Sequence, residues 1–351
     1  MDFTHSDEQR LMTAAFRELT DDICSSAEIR AAFEGTRDAS AARWARLAQM
    51  GLPAMLAPQS CGGLGLLAVD FALIAEVAGR AALPEPLAEH AGVAVPLLAE
   101  LSSAPAAAEL LPRAASGDCW VAVLHDSSPF ALLAQHATHI VMCRGDEVHL
   151  AAARDARIVV QPSIDALRRL ATIDVPSGRR TLIARGEAAL AASARAFERG
   201  ALFAAAECLG LADRMIQIAV AYAQHRSQFG KPIGSYQAIK HSLATCQLKL
   251  EFARPVLYSA ASRNADLGAK ARALVSHAKL AALVAADLAA RTSIQVHGAM
   301  GYSWEIDLHF YMKRAWALAG AWGDRNFHAR RLQSLVLDGK VALGADRTFD
   351  A

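Results

Sequence analysis

Apolar positions along this chain follow two rhythms, and the switches between them mark three regions. Ser6 and Gln9 have capping-box spacing, so a helix is expected to follow to about Phe33. A second is expected from about Ala39 to Met50, ending before Gly51-Leu-Pro53, and two more over about 69–78 and 86–101. Near Ser116-Gly-Asp118 the period shortens. Short β-like runs follow at Cys119–Leu124, His139–Met142, Val148–Ala151, Ile158–Gln161 and Thr181–Ala184, which predict a small, mostly antiparallel β domain. From about Glu187 the helical period returns. Leu211, Met215, Ile218 and Tyr222 fall on one face. Ile239, Leu243, Cys246, Leu250, Ala253 and Leu257 repeat at 4-3-4-3-4, the seam of a bundle. A third long helix covers roughly 268–294, Gly298 and Gly301 interrupt it, and short helices continue to about Val341. The pattern predicts an α+β chain, mainly α. It would have an N-terminal helical domain (1–114), a small middle β domain (115–186) and a C-terminal four-helix bundle (187–351).

Composition narrows the function classes. The chain has 351 residues and is 54% hydrophobic, enough for a full core in two or three domains. Lys+Arg number 36 against 35 Asp+Glu, so no basic surplus points to nucleic acid or a membrane surface. Six scattered cysteines form no Cys-x-x-Cys pair, which argues against zinc and redox motifs. No basic region followed by an apolar run opens the chain, and the apolar segment near 272–290 is interrupted by His277, Lys279 and Asp287. A buried helix and a cytoplasmic location are expected. Cys61-Gly-Gly-Leu-Gly-Leu66 lacks the Lys-Ser/Thr of a phosphate loop and reads as a structural turn.

The most legible chemistry lies at Arg226-Ser-Gln-Phe-Gly-Lys-Pro-Ile-Gly-Ser-Tyr-Gln-Ala-Ile-Lys-His-Ser-Leu-Ala244. Gly230-Lys-Pro-Ile-Gly234 must turn, and Ser235 is placed to cap the helix that follows. A guanidinium (Arg226), an amide (Gln228) and an aromatic ring (Phe229) thus stand at a helix end. The planar fork of arginine suits a phosphate.

The order Arg-x-x-Phe-Gly-x-Pro-Ile-x-x-x-Gln resembles the acyl-CoA dehydrogenase family, and a second match follows at Gln295-Val-His-Gly-Ala-Met-Gly-Tyr302. The resemblance implies an α–β–α fold and α,β-dehydrogenation of an acyl-CoA thioester. A carboxylate takes the α proton, FAD takes the β hydride, and an electron-transferring flavoprotein takes the electrons. It also implies that Arg226, Gln228 and Phe229, with Gln295, Gly298 and Gly301, grip the FAD of a neighbouring subunit. His297 would be a contact or a helix-end cap. The segment Gly301-Tyr-Ser-Trp-Glu-Ile-Asp-Leu-His309 is similar to one in actinobacterial members, including some that act on CoA esters of steroid side chains. A metal site from His297 and His309 lacks ligand spacing and is not expected.

Two parts of the family pattern do not match. Where the family carries a Thr/Ser-Glu-Pro-x-Ala-Gly-Ser-Asp-like loop and a Trp-Ile strand for the flavin ring, this chain has Val121-Ala-Val-Leu-His-Asp-Ser-Ser128 and no Trp-Ile pair over 130–185. The catalytic glutamate is missing from both family positions, which fall on Trp322 and Gly200. The nearest acids are Asp324 and Glu198; at about 100° per residue Glu198 faces nearly opposite to position 200. Glu207 is a further acid on the same helix.

These gaps leave three readings. In the first, the chain is a non-catalytic subunit of a heteromer resembling the α2β2 steroid side-chain enzymes, lending its FAD grip to a complete partner. In the second, it is a self-sufficient homo-oligomer with a displaced base, Glu198 or Asp324. The third, a helical scaffold without flavin, leaves the Arg226-x-x-Phe229-Gly motif without a purpose.

Overall fold

A computed structural model describes residues 4–35, 41–263, 267–342 and 344. The chain divides into two compact units, one of 1–26, 73–82 and 204–351, the other of 27–72 and 83–203.

Helices α1 (Asp7–Ile23), α2 (Ser26–Glu34) and α3 (Ala41–Gln49) open the chain. The capping box at Ser6 forms as expected: Gln9 N donates to Ser6 Oγ at 3.1 Å, and Ser6 N to Gln9 Oε1 at 3.0 Å. The single helix expected to Phe33 is instead two. Ser25-Ser-Ala-Glu28 repeats the same capping spacing and restarts the backbone after Cys24. The expected start near Ala39 lies outside the described residues. Helix α4 (Ala68–Arg80) matches expectation. The expected helix over 86–101 is divided into α5 (Leu87–Glu89), a π-helical His90–Ala94 and α6 (Val95–Glu100). Helix α7 (Pro105–Ser116) was not expected; Pro105 in its first turn and Gly117 just past its end are ordinary helix punctuation, and Pro112 lies inside it.

All five expected strands are present among β1 (Val121–His125), β2 (Ala131–Leu132), β3 (His139–Arg144), β4 (Glu147–Ala152), β5 (Arg157–Val160), β6 (Leu170–Asp174) and β7 (Thr181–Arg185). They form two sheets, β1-β3-β4-β7 and β2-β6-β5, antiparallel throughout except for β1 against β3. Leu124, Ile140, Met142 and Ala171 put both sheets into one core. In the same unit Trp44, His90 and Trp120 stack edge to face, with centroids 5.1 and 5.0 Å apart.

The other unit is helical. It is built on the distal part of α8 (Glu187–His225), then the hairpin β8 (Ser227–Gln228) and β9 (Lys231–Pro232), α9 (Gln237–Ala261), α10 (Ala269–His297), α11 (Leu308–Ala319) and α12 (Arg325–Leu337). The 4-3-4-3-4 stripe of α9 is its buried face from Leu243 to Leu257. α10 packs on α9, α11 and α12, and its buried residues include Ala271, Ala278, Ala282, Ala285 and Ala289, small enough for close helix approach. Lys279, fully buried on α10, donates to the Leu318 carbonyl at 3.0 Å. Ala269–Tyr302 is long and apolar enough to cross a membrane, but 61% of its most apolar window is buried, as in a core helix.

Candidate flavin-binding site

The site is assembled where α8 and α10 end. Arg226 N donates to Tyr222 O at 2.9 Å and closes α8. Two cross-strand pairs follow, Ser227 with Pro232 and Gln228 with Lys231, around Phe229 and Gly230. Both central residues have positive φ, 54° and 81°, as a type I′ hairpin turn requires. Glycine adopts this freely; phenylalanine does so at a cost of about 1–2 kcal/mol. Ile233 N donates to Arg226 O at 2.8 Å, Tyr236 OH to Gln228 O at 3.3 Å, and the Lys231 ammonium sits 4.4 Å over the Tyr236 ring. The braced hairpin presents Arg226, Gln228 and Phe229 to solvent, with Phe229 92% exposed. Ser235 does not cap α9. A 3-10 turn over Ile233–Ser235 closes with Tyr236 N on Ile233 O and moves the N-cap to Tyr236.

The second motif follows directly on α10. Gly298 has φ 61° and ψ −139°, a backbone state reserved to glycine. A Cβ there would meet nothing within 4 Å, whereas one at buried Gly301 would meet Ile294 O at 2.9 Å. Gln295 is exposed. The two motifs share a footing: Val296 belongs to the cluster of Ala219, Ala223 and Leu243, against which Tyr222 and Ile233 pack. Tyr222 also stacks on His297, with centroids 4.1 Å apart and planes at 25°. His297 Nδ1 bonds to Ser293 O at 2.7 Å, and burial lowers its pKa, so it stays neutral. His297 is therefore a clamp between the helix ends. The sequence supplied Tyr222 as a stripe residue and His297 as a motif residue, but nothing in either spacing paired them.

The acids near the expected base positions have other surroundings. Trp322 is buried with φ 55°. Gly323 follows, and a Cβ on it would meet Phe327 Cδ1 at 2.7 Å. Asp324 is exposed and caps α12, accepting from Phe327 N at 2.7 Å. Glu198 is buried on α8 in the mixed α/β unit, and Glu207 is buried on the same helix in the helical unit.

The turn at the position of the family's flavin-ring loop is closed on itself. Ser128 N donates to His125 O at 2.8 Å, Ser127 N to His125 Nδ1 at 3.1 Å, and Ser127 Oγ lies 2.6 Å from the same nitrogen. His125 Nε2 meets Ser193 O at 3.2 Å and Ser193 Oγ at 2.9 Å. Asp126 accepts from Gly145 N at 2.8 Å. Burial, chiefly, lowers the His125 pKa. The residues present therefore fit the dinucleotide end of FAD: an exposed guanidinium, amide and ring beside a glycine turn open to solvent. They do not fit the ring end, where hydroxyls and amides already have partners. Among the described residues no cluster of three or more His, Cys, Asp or Glu is placed to hold a metal.

The chain belongs to the acyl-CoA dehydrogenase family, oxidoreductases acting on the CH–CH bond of acyl-CoA thioesters with FAD as cofactor. Residues 6–118 match its N-terminal domain and 190–336 its C-terminal domain. Acyl-CoA dehydrogenase IpdE2 of Mycobacterium tuberculosis is 31% identical over 336 residues, 95% of this chain and 98% of that relative. The fold is shared with the ChsE4–ChsE5 complex from Mycobacterium tuberculosis (TM-score 0.81, 22% identity, 96% of this chain and 99% of that one). It is shared equally with a variant of the Tcur3481–Tcur3483 steroid ACAD (TM-score 0.81, 21% identity, 96% and 99%).

Proposed function

We propose that this chain is the non-catalytic subunit of a heteromeric, FAD-dependent acyl-CoA dehydrogenase. It lends Arg226, Gln228, Phe229, Gln295, Gly298 and Gly301 to an FAD whose ring is held by the partner subunit, and the partner supplies the carboxylate that takes the α proton. The observation that carries this reading is the contrast within one chain. The dinucleotide hairpin is braced, strained at Phe229 and fully exposed, while the ring-site turn around His125 has its donors internally engaged. Buried Trp322 at the base position and Asp324 at a helix cap point the same way.

FAD, when bound, supplies the hydride acceptor. Arg226 neutralises and orients a phosphate oxygen pair through its fork, Phe229 covers the dinucleotide from water, and the glycine turn at 298–301 lets backbone come close. The substrate class is an acyl-CoA, with a steroid side-chain thioester favoured by the two-chain steroid ACAD of the same fold. Electrons leave to an electron-transferring flavoprotein.

Arg226→Gln in this chain, co-expressed with the wild-type partner dehydrogenase, tests it. Loss of one charge-assisted bond, about 1.5–3 kcal/mol, lowers FAD affinity of the complex roughly 10- to 100-fold. Unchanged flavin retention on dialysis would remove Arg226 from the site. Glu198→Gln and Asp324→Asn leave turnover unchanged; a collapse of turnover with either would favour the self-sufficient enzyme.

A further inference from the structure

We propose that a cavity in the helical unit, outside the flavin motifs, is a second ligand site that takes a small carboxylate carried on an apolar body. The cavity is about 580 Å³ and is lined by α1, α4, α8 and α9. That is the size of a small-molecule pocket. α4 and α8 meet beside it backbone to backbone: a Cβ on Gly210 would lie 1.8 Å from Glu76 O.

Its carboxylates are already engaged by neighbouring side chains. Glu76 accepts from Arg254 Nε at 3.0 Å and from Tyr258 OH at 2.9 Å. Burial and the Glu76 charge raise the Tyr258 pKa, so that proton stays in place. Asp213 accepts from Gln217 Nε2 at 2.6 Å and lies 3.6 Å from Arg254 and 3.7 Å from Arg80. Glu251 is bonded by Arg254, and by Gln247 at 2.7 Å.

The guanidinium groups differ. Among the described residues the Arg17 guanidinium has no hydrogen-bond or ion-pair partner, Arg17 bonding only through its backbone. Arg80 Nε is buried and makes no hydrogen bond, with Asp213 Oδ2 3.7 Å away, and the other contacts of Arg80, to Asp21 at 3.4 Å and Gln217 at 3.3 Å, are long. Of the four lining arginines (10, 17, 80, 254), Arg254 is held by the lining acids, Arg10 pairs with Asp7 outside the lining, and Arg80 reaches Asp21 only at 3.4 Å. Ala14, Leu73, Val77 and Pro255 supply an apolar wall. An under-bonded arginine pair beside such a wall matches a carboxylate with an aliphatic tail. Phosphate would satisfy the arginines and leave the wall wet.

Titration calorimetry on the full chain, in the assembly in which it is purified, tests this with hexanoate, hexanamide and inorganic phosphate. Hexanoate binds, and the amide and phosphate bind at least about 10-fold more weakly. Arg17→Gln, at an exposed position that leaves folding intact, weakens hexanoate about 10-fold. Ala14→Phe, which fills the space, abolishes it. Both variants keep the flavin content of the parent, which separates this site from the flavin grip. No hexanoate binding, equal affinity for hexanamide, tighter phosphate, or hexanoate binding unchanged by both substitutions would each overturn the proposal.

Discussion

Phe229 holds a backbone state that an aromatic residue enters only under constraint, and it exposes almost its whole ring in doing so. Strain without burial stabilises nothing within the chain, and it marks Phe229 as the residue on which the proposed flavin contact is tested. Phe229→Gly separates the two roles. Relief of the left-handed strain offsets the extra freedom of glycine in the unfolded chain, and stability stays within about 1 kcal/mol. Flavin retention in the complex falls about 10-fold all the same, as loss of a covering ring predicts. Urea melts and the flavin absorbance left after gel filtration read the two effects. A parallel loss of both would make Phe229 a structural residue. His297 behaves oppositely. His297→Ala removes the Tyr222 stack and the Ser293 bond and costs about 1–3 kcal/mol of stability before any effect on flavin; thermal unfolding with excess FAD present checks it.

Among the elements, α12 gives the sharpest forecast, because its cap is one of the two acids nearest the positions where the sequence places the family's base. Asp324→Ala removes the bond to Phe327 N and costs about 1 kcal/mol of stability, while turnover of the complex is unchanged. A large fall in turnover with no change in melting temperature would reverse the assignment. Elements whose signals are local were legible in the sequence: the Ser6–Gln9 capping box, the α9 stripe and strands β1, β3, β4, β5 and β7, whereas β6 and the turn at Phe229–Gly230 were not. Others were hidden by competing local rules. α7 carries Pro112 in its interior, the α2 start at Ser25-Ser26 lies inside a continuous helical period, and the two-residue β2 is too short to carry a period. The candidate site was legible as a pair of motifs, since Arg226, Phe229, Gln295 and the glycines stand at characteristic spacings. The Tyr222–His297 clamp was not, because it joins residues 75 positions apart (297 − 222) through stacking alone. The arginine-lined cavity draws on four helices and has no sequence signature at all.

At the scale of the whole molecule, two buried neutral histidines make folding acid-sensitive. Burial pushes both His90 and His328 down to about 4. His90 has Nε2 on Ala114 O at 2.9 Å and accepts from Val121 N at 3.1 Å; His328 has Nε2 on Trp322 O at 2.9 Å and Nδ1 3.1 Å from Ser276 Oγ. Both rings are needed neutral. The unfolded chain binds these protons near pH 6.5 and the folded chain only near 4. Stability is therefore fully present above about 6.5 and is lost as pH falls toward 4, by about 2 kcal/mol per histidine at pH 5. Urea midpoints at pH 7 and 5 measure this, and a flat profile would contradict it.

The most direct measurement of the central claim is the flavin-to-chain ratio. The chain is purified alone, then co-expressed with a dehydrogenase subunit encoded beside it, and the visible spectrum is recorded for each. The account predicts a colourless chain alone and about one flavin per two chains in the complex, half the usual occupancy of a symmetric homo-oligomer. A yellow preparation of this chain alone, one flavin per chain and active on an acyl-CoA, would contradict it.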